Sequence, residues 1–345
     1  MASSSVHYVG FDIHKKVISY CVKTAGGKIR DEGTIAATRC GLHAWASSRT
    51  RPWIGAMEAT LFTGWVYDEL LPLSRALKVA HPAMLKAITA SKKKNDRVDA
   101  AMIADLLRAD LLPECHMASK QTRELRRLLR YRYLVVSEAV RMKNKMSGLL
   151  MEVGAEYDTK KLHGKEYFSA LLGSADDIPE SVAGLLRMSR SALEMFQDVE
   201  RRLIGALKND PALKERVALL ESIDGAGEIT ALCWALEIGD VSRFNGLNEV
   251  ISYCGLCSAQ NSSAGKDKRG PISKKRNKYL QRVLIEVAKL APRWNPALAA
   301  VHQRELERGN CNRATLAVAR KLVAYLLAVD RSGKPYELRM PAWAG

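Results

Sequence analysis

Four acidic residues constrain this chain more than any other feature, because each stands where an apolar run ends or a helix begins. Asp12 closes the run Tyr8-Val9-Gly10-Phe11, and Glu58 closes Trp53-Ile54-Gly55-Ala56-Met57. Asp96 and Asp99 follow Lys94-Asn95 at the start of a helical pattern. Short apolar runs of this kind read as buried strands. Carboxylates that finish such strands, or open a neighbouring helix, meet at one edge of an α/β sheet. Crowded carboxylates repel one another unless cations sit between them. Mg²⁺ suits oxygen donors of this type, with Mn²⁺ as a substitute. Two such ions about 3.5–4 Å apart can clamp the attacking and leaving oxygens of a phosphodiester. Taken singly, each acid also reads as a turn residue or a helix N-terminal acid. Their joint occurrence, in this order, points to a site.

The charge balance agrees with a polyanionic partner. Lys and Arg number 54 against 37 Asp and Glu, for a net charge of +17, and the pI is near 9.6. A chain of 345 residues suits two or three domains. The opening Met1-Ala2-Ser3-Ser4-Ser5 has neither the basic start nor the apolar core of a signal peptide. No apolar run is long enough to span a bilayer. A bacterial cytoplasmic, nucleoid-associated protein is expected. Seven cysteines, an odd number, argue against a disulfide framework. Cys254 and Cys257 have metal-site spacing, but no second pair accompanies them, so a zinc site is unsupported. His14 follows Asp12 by two residues and reads as surface decoration or a phosphate contact.

Residues 1–113 predict an α/β domain. Strands are expected over His7–Ile13, Val17–Lys23 and Lys28–Ala36, with a turn at Ala25-Gly26-Gly27. A helix over Gly41–Ser48, a strand over Ile54–Glu58, a helix over Gly64–Leu71 and a strand over Leu77–Ala80 follow. The helix over Asp96–Leu107 carries Val98, Met102, Ile103 and Leu106 on one face, and Asp96 and Asp99, three apart, share a face at its start.

Residues 114–210 predict long amphipathic helices. Leu128, Val135, Met142 and Leu149 repeat every seven residues, as do Ala139, Met146 and Val153. A second helix is expected over Ser181–Lys208, with a break from Gly154 to Ile178. The pattern fits an antiparallel pair or a dimerising coiled coil. Arg126, Arg127 and Arg130 lie on the basic faces and are candidate phosphate contacts.

Residues 211–345 predict a mostly helical domain. Two helices over Leu213–Ser222 and Glu228–Leu236 flank the glycine turn Ile223–Gly227, in the manner of a helix-hairpin-helix element. A small polar loop is expected over Gln260–Lys266. The densest basic stretch follows: Lys266, Lys268, Arg269, Lys274, Lys275, Arg276 and Lys278, with Arg282 beyond. Helices over Lys274–Leu290 and Ala314–Val329 close the domain.

The order of strands and acids resembles a ribonuclease-H-like fold of the RuvC branch. Over nearly the whole chain, from Tyr8 to about Val329, the sequence also resembles the insertion-sequence one-ten family of transposases. These are bridge-RNA-guided DEDD/serine recombinases related to the Piv and MooV DNA invertases. The residues that carry the resemblance are Gly10-Phe11-Asp12, Met57–Thr60, Asn95–Ala100, Ile223–Gly227, Gly255-Leu256, Asn261–Gly265 and Ile272–Lys274. The resemblance implies an Mg²⁺-binding set of Asp12, Glu58, Asp96 and Asp99. It also implies a catalytic serine in the C-terminal transposase domain. Distance from Gly255-Leu256 assigns that serine to Ser263, with Ser262 its rival, and Ala264 stands where many relatives carry a glycine. The partners it implies are a guide RNA, donor and target double-stranded DNA, and further copies of the chain, assembled as a tetramer of dimers, without membrane association.

Two other functions stay open on the residues alone. A RuvC-like, metal-dependent junction nuclease would use water as nucleophile and leave the serine loop as a DNA contact. A non-catalytic nucleic-acid-binding protein would use the acids only to cap helices.

Overall fold

A computed structural model describes residues 6–88, 96–174, 177–263, 266–274 and 276–337. Its contacts divide the chain into two units, residues 1–123 and 124–345. The helical segment expected as a region of its own falls, from residue 124 on, within the second unit.

The first unit holds a five-stranded sheet. In chain order its elements are β1 (His7–Ile13), β2 (Val17–Lys23), β3 (Ile29–Ala36), α1 (Arg39–Ser47), β4 (Trp53–Glu58), α2 (Thr63–Leu70), β5 (Ala76–Ala80), α3 (Pro82–Ile88) and α4 (Asp96–Arg108). The strand order is β3-β2-β1-β4-β5. β1, β2 and β3 pair antiparallel, whereas β4 and β5 run parallel to β1.

Alternation along each strand sorts side chains to two faces. Val9, Phe11 and Ile13 of β1 and Trp53 and Met57 of β4 pack with Leu42 and Trp45 of α1 and Val66 and Leu70 of α2. Phe11, Trp45 and Trp53 meet edge to face, with ring centroids 5.2–5.9 Å apart. The opposite face presents Tyr8, Ile54, Ala56 and Ala80 to Ile103, Leu106 and Leu107 of α4. Gly10 shares that face. A Cβ built on it would overlap Ala100 O and lie 2.5 Å from Ala104 N. The helix therefore rests directly on the strand backbone, through the small residues Gly10, Ala100 and Ala104. Lys23 of β2, buried, donates to Asp105 of α4 at 2.5 Å and fixes the helix's far end. Val98 departs from the expected buried face and is exposed, because the first turn of α4 extends beyond the layer that Ile103 and Leu106 cover.

The second unit is helical apart from one ribbon. It contains most of α5 (Lys120–Glu152), then α6 (Lys165–Ser174), α7 (Glu180–Lys208), α8 (Pro211–Glu221), α9 (Glu228–Ile238), α10 (Leu247–Tyr253), β6 (Ser258–Ser263), β7 (Lys266–Ile272), α11 (Lys278–Ala288), α12 (Pro296–Glu307) and α13 (Cys311–Ser332). α5 and α7 form the antiparallel pair that their periodicity predicts. Arg132 near the start of α5 binds Glu200 near the end of α7 at 2.6 Å. Met146, Leu149 and Leu150 pack with Leu186 and Leu193. The expected break between them contains α6, whose Phe168 and Leu171 fill the same core. Its short amphipathic stretch is hidden in sequence by polar flanks.

The expected polar loop at Gln260–Lys266 is instead the distal part of an antiparallel ribbon, with Ser262 opposite Asp267 and Ser263 opposite Lys266. A ribbon with solvent on its faces needs no apolar alternation. Two residues between strands, one of them glycine, is the hairpin signal that outweighs polarity here. The helix expected from Lys274 starts at Lys278, after Asn277 caps its first turn by accepting from Tyr279 and Leu280 N–H.

α9 is buried along its length from Thr230 to Ile238. It carries Glu237 without solvent exposure. Arg130 donates two hydrogen bonds to its carboxylate, both 2.8 Å, and Asn277 Nδ2 a third at 2.8 Å. The last carbonyls of α9 accept from Arg126, Arg216 and Arg243, which suits cations to a helix C-terminus.

Two outcomes follow. Gly10→Ala forces α4 away from β1. It should cost about 1–3 kcal/mol by overpacking, read by chemical denaturation, and lower any activity that depends on Asp99. Glu237→Ala leaves Arg130 and Asn277 without their partner. It should destabilise by roughly 2–4 kcal/mol, below the loss typical of wholly buried pairs because Arg130 is half exposed and can turn to water.

Candidate functional site

Strand register brings two of the predicted acids side by side. Phe11 of β1 is level with Met57 of β4 in a parallel pair, so the next residues, Asp12 and Glu58, are neighbours at the carboxyl ends of adjacent strands. Both belong to the face that α4 covers, as Gly10 and Ala56 do two residues earlier. The third acid comes from above. Ala100 sits on Gly10, and Asp99, one residue earlier, hangs over the strand ends. Asp12, Glu58 and Asp99 line one small cleft of about 50 Å³ with Leu85, Lys86, Met102 and Ile103. Open α/β sheets present ligand sites at this edge. The carboxylate of Asp96 lies outside the described residues, and the backbone sets it one turn from Asp99.

His14 Nε2 lies 3.1 Å from Asp12 Oδ2, with Asp12 largely shielded and His14 half exposed. Lys86, from α3, is the cation of the cleft. Sequence reading passed over it. Its only signal is its position on the helix that follows β5, at the same sheet edge as the acids.

The donor chemistry of the cleft, all carboxylate oxygen, fits a hard divalent cation such as Mg²⁺. Among the described residues, no three His, Cys, Asp or Glu side chains lie close enough to share one ion. Asp12, Glu58 and Asp99 thus line a common space without closing on a common point.

The predicted serines stand on the ribbon of the second unit. Ser263 ends β6 and pairs with Lys266, the first residue of β7. The side chains of Ser262, Ser263, Lys266, Lys268 and Arg269 lie outside the described residues, as does Lys275 altogether. The root of the ribbon is well defined. Gly255 has φ +71°, and a Cβ there would lie 2.5 Å from Arg276 Cβ. Buried Gln281 donates to Gly255 O at 2.6 Å, and Arg320 donates twice to Leu256 O, at 2.9 and 2.7 Å. Ser273 N–H donates to Cys257 O and Asn277 N–H to Tyr253 O, both 3.0 Å. Gln281 and Arg320 were not anticipated, since nothing local in sequence marks a side chain that will hold a distant carbonyl.

The candidate phosphate contacts divide. Arg126 and Arg130 serve the end of α9 and Glu237, an internal use that sequence charge alone hides. Arg127, Lys274, Arg276 and Lys278 are exposed. Lys278 leans over the Tyr279 ring, 5.2 Å from its centroid. Cys254 is buried, which pushes its thiol up from the ordinary value, as expected of a core thiol. Among the described residues, no helix is long and apolar enough to cross a membrane.

Comparison with known proteins bears on both units. Residues 9–154 match a family described as DEDD transposase of IS110, and residues 217–303 match the IS116/IS110/IS902 transposase family. The transposase of insertion sequence IS1328 from Yersinia enterocolitica is 27% identical over 82% of this chain and 85% of its own length. That of IS1111A from Coxiella burnetii is 26% identical over 92% of this chain and 87% of its own. The pilin gene-inverting protein of Moraxella bovis is 29% identical over a shorter stretch, 38% of this chain and 41% of its own. With a mixed α/β region bearing the acids and a helical region bearing the second match, the chain belongs to the IS110/IS116 family of insertion-sequence transposases.

Proposed function

We propose that this transposase cleaves and rejoins DNA strands through a covalent phosphoserine at Ser263. The acid cleft would handle the scissile phosphate, and a non-coding guide RNA would select donor and target. The observation that carries the reading is the strand register that sets Asp12 beside Glu58 under Asp99. Three carboxylates on one face, at the carboxyl edge of a sheet with this strand order, support a ribonuclease-H-like domain of RuvC type. Asp12, Glu58, Asp96 and Asp99 would hold Mg²⁺, which when bound supplies charge stabilisation to the phosphate.

The residues of the chain do the rest. A serine hydroxyl is a weak nucleophile unless a base or a strong local field activates it. Ser263, opposite Lys266 and close in sequence to Lys268 and Arg269, stands in a cationic neighbourhood that favours its alkoxide. Its oxygen would bond to phosphorus as the bond to the departing strand's oxygen breaks. The serine proton would leave to a base, and the released strand end would take one up. The serine–phosphate link keeps the phosphodiester energy for rejoining. Exposed Arg127, Lys274, Arg276 and Lys278 would add backbone contacts that do not read sequence. Sequence would be read by pairing with the guide. An assembly of several copies, two dimers forming a tetramer, would bring the strand ends together.

Asp12→Ala and Asp99→Ala should each lower strand cleavage by roughly 10³-fold or more, since charge stabilisation dominates such chemistry. Thermal melting should be unchanged or improved, because like charges are removed. A fully active Asp12→Ala protein would sink the reading. Ser263→Ala should abolish cleavage while leaving DNA and RNA binding nearly intact, and Ser262→Ala should stay active. Peptide mapping of protein trapped on a nicked substrate decides between them. An adduct on Ser262 moves the nucleophile by one residue. Cleavage without any adduct assigns the reaction to water, as in a junction nuclease.

A further inference from the structure

The turn after β4 holds a large apolar side chain out in water. Leu61 is 93% exposed, the highest value for a large hydrophobic among the described residues. It lies three residues past Glu58. The turn is built to keep it there. Buried Thr63 donates its hydroxyl to Glu58 O at 2.8 Å and accepts from Thr60 N–H at 2.7 Å. Phe62 N–H donates to Thr60 Oγ1 at 3.3 Å, and the Phe62 side chain packs against the core under α1 and α2. With Phe62 turned in and Thr63 buried, Leu61 is turned out.

A lone exposed leucine is ordinary. This one has company at the same sheet edge. Met84 and Ile88 of α3 are each 52% exposed, and Val98 in the first turn of α4 is 39% exposed. Leu85 and Lys86, between Met84 and Ile88, line the acid cleft, as does Asp99, next to Val98. The mouth of a carboxylate cleft is thus crowned by apolar side chains. A sugar–phosphate backbone offers such a crown nothing to bury. The face of an unstacked base does, and leucine, isoleucine and methionine are the side chains that proteins wedge between base steps.

We propose that Leu61 inserts at the base step next to the phosphate that enters the Asp12–Glu58–Asp99 cleft, with Met84, Ile88 and Val98 receiving the displaced base. The ligand is DNA with a locally opened stack, and Leu61 is a base-contact residue that touches no reacting atom. The inference rests on the reading that the cleft takes the scissile phosphate.

The test uses full-length protein and a Y-branched DNA carrying 2-aminopurine at the first paired position of the branch, whose fluorescence rises when the base unstacks. Binding of the wild-type protein should raise the signal severalfold. Leu61→Ser should lose that rise while anisotropy shows the DNA still bound. Its fold is at little risk, because the side chain touches almost nothing. Leu61→Phe should keep the rise. Asp12→Asn should keep the rise and lose cleavage, which separates the wedge from the chemistry. No rise with wild-type protein, or an equal rise with Leu61→Ser, overturns the wedge. Self-association that vanishes in Leu61→Ser would assign the apolar crown to a second copy of the chain and overturns it as well. An Asp12→Asn protein that cleaves like wild type would remove the cleft reading, whatever the fluorescence shows.

Discussion

The first unit depends on backbone-to-backbone contact between a strand and a helix. At Gly10 there is no room for a single methyl group beneath Ala100 and Ala104. Dense interiors transmit such constraints over several residues. The height of α4 above the sheet fixes where Asp99 stands relative to Asp12 and Glu58, which are themselves fixed by the β1–β4 ladder. Lys23 and Asp105 hold the opposite end of the helix. Burial opposes ionisation of Asp105, but hydrogen bonds and charge from Lys23 and Arg108 outweigh it and hold the carboxyl below its ordinary value. That contribution to stability is present above the ordinary carboxylate range and is lost as pH falls through the lowered value. Carboxylates that repel one another are therefore kept together by contacts in which they take no part.

The second unit places its charges differently. Trp234 and Glu237 of α9 are both buried. Asp330, on α13, accepts from Trp234 Nε1 at 2.8 Å and from Arg216 at 2.8 and 2.7 Å. Glu237 takes Arg130 and Asn277. A buried acid with three donors is costly to disturb and adds specificity more surely than stability. Several cations of this basic chain are thus spent on its own interior, and the polyanion-facing charge resides in the exposed remainder.

The N-terminal sheet and the placement of its acids were legible in sequence, because alternation along short strands encodes both the face and the end of each element. The period-seven rows of α5 and α7 were legible for the same kind of reason. What was hidden lacked periodicity or depended on distance. α6, α10 and α12 are short, and their apolar stripes are broken by charge. Val98 fits the helical period yet has nothing above it. Arg126 and Arg130 look like surface cations until α9, more than a hundred residues away, arrives beside them. Lys86 belongs to the cleft only through the β5–α3 connection. The serine segment read as a loop because its composition is polar, although strand pairing needs only backbone.

That last difference changes how a nucleophile must work. A two-stranded ribbon by itself is marginal in water, so its direction is set at the root. Here the root is held by Gln281 of α11 and Arg320 of α13, each gripping a carbonyl of Gly255-Leu256. Six residues of strand, Ser258–Ser263, carry the end of β6 about 17 Å along the ribbon at roughly 3.3 Å per residue. A serine in an enclosed pocket can be activated by groups packed permanently against it. A serine at the end of a ribbon has few such neighbours of its own. Its activation must come from the cations beside it along the ribbon and from the surface it meets when DNA is bound, which ties reactivity to assembly and keeps the hydroxyl inert otherwise.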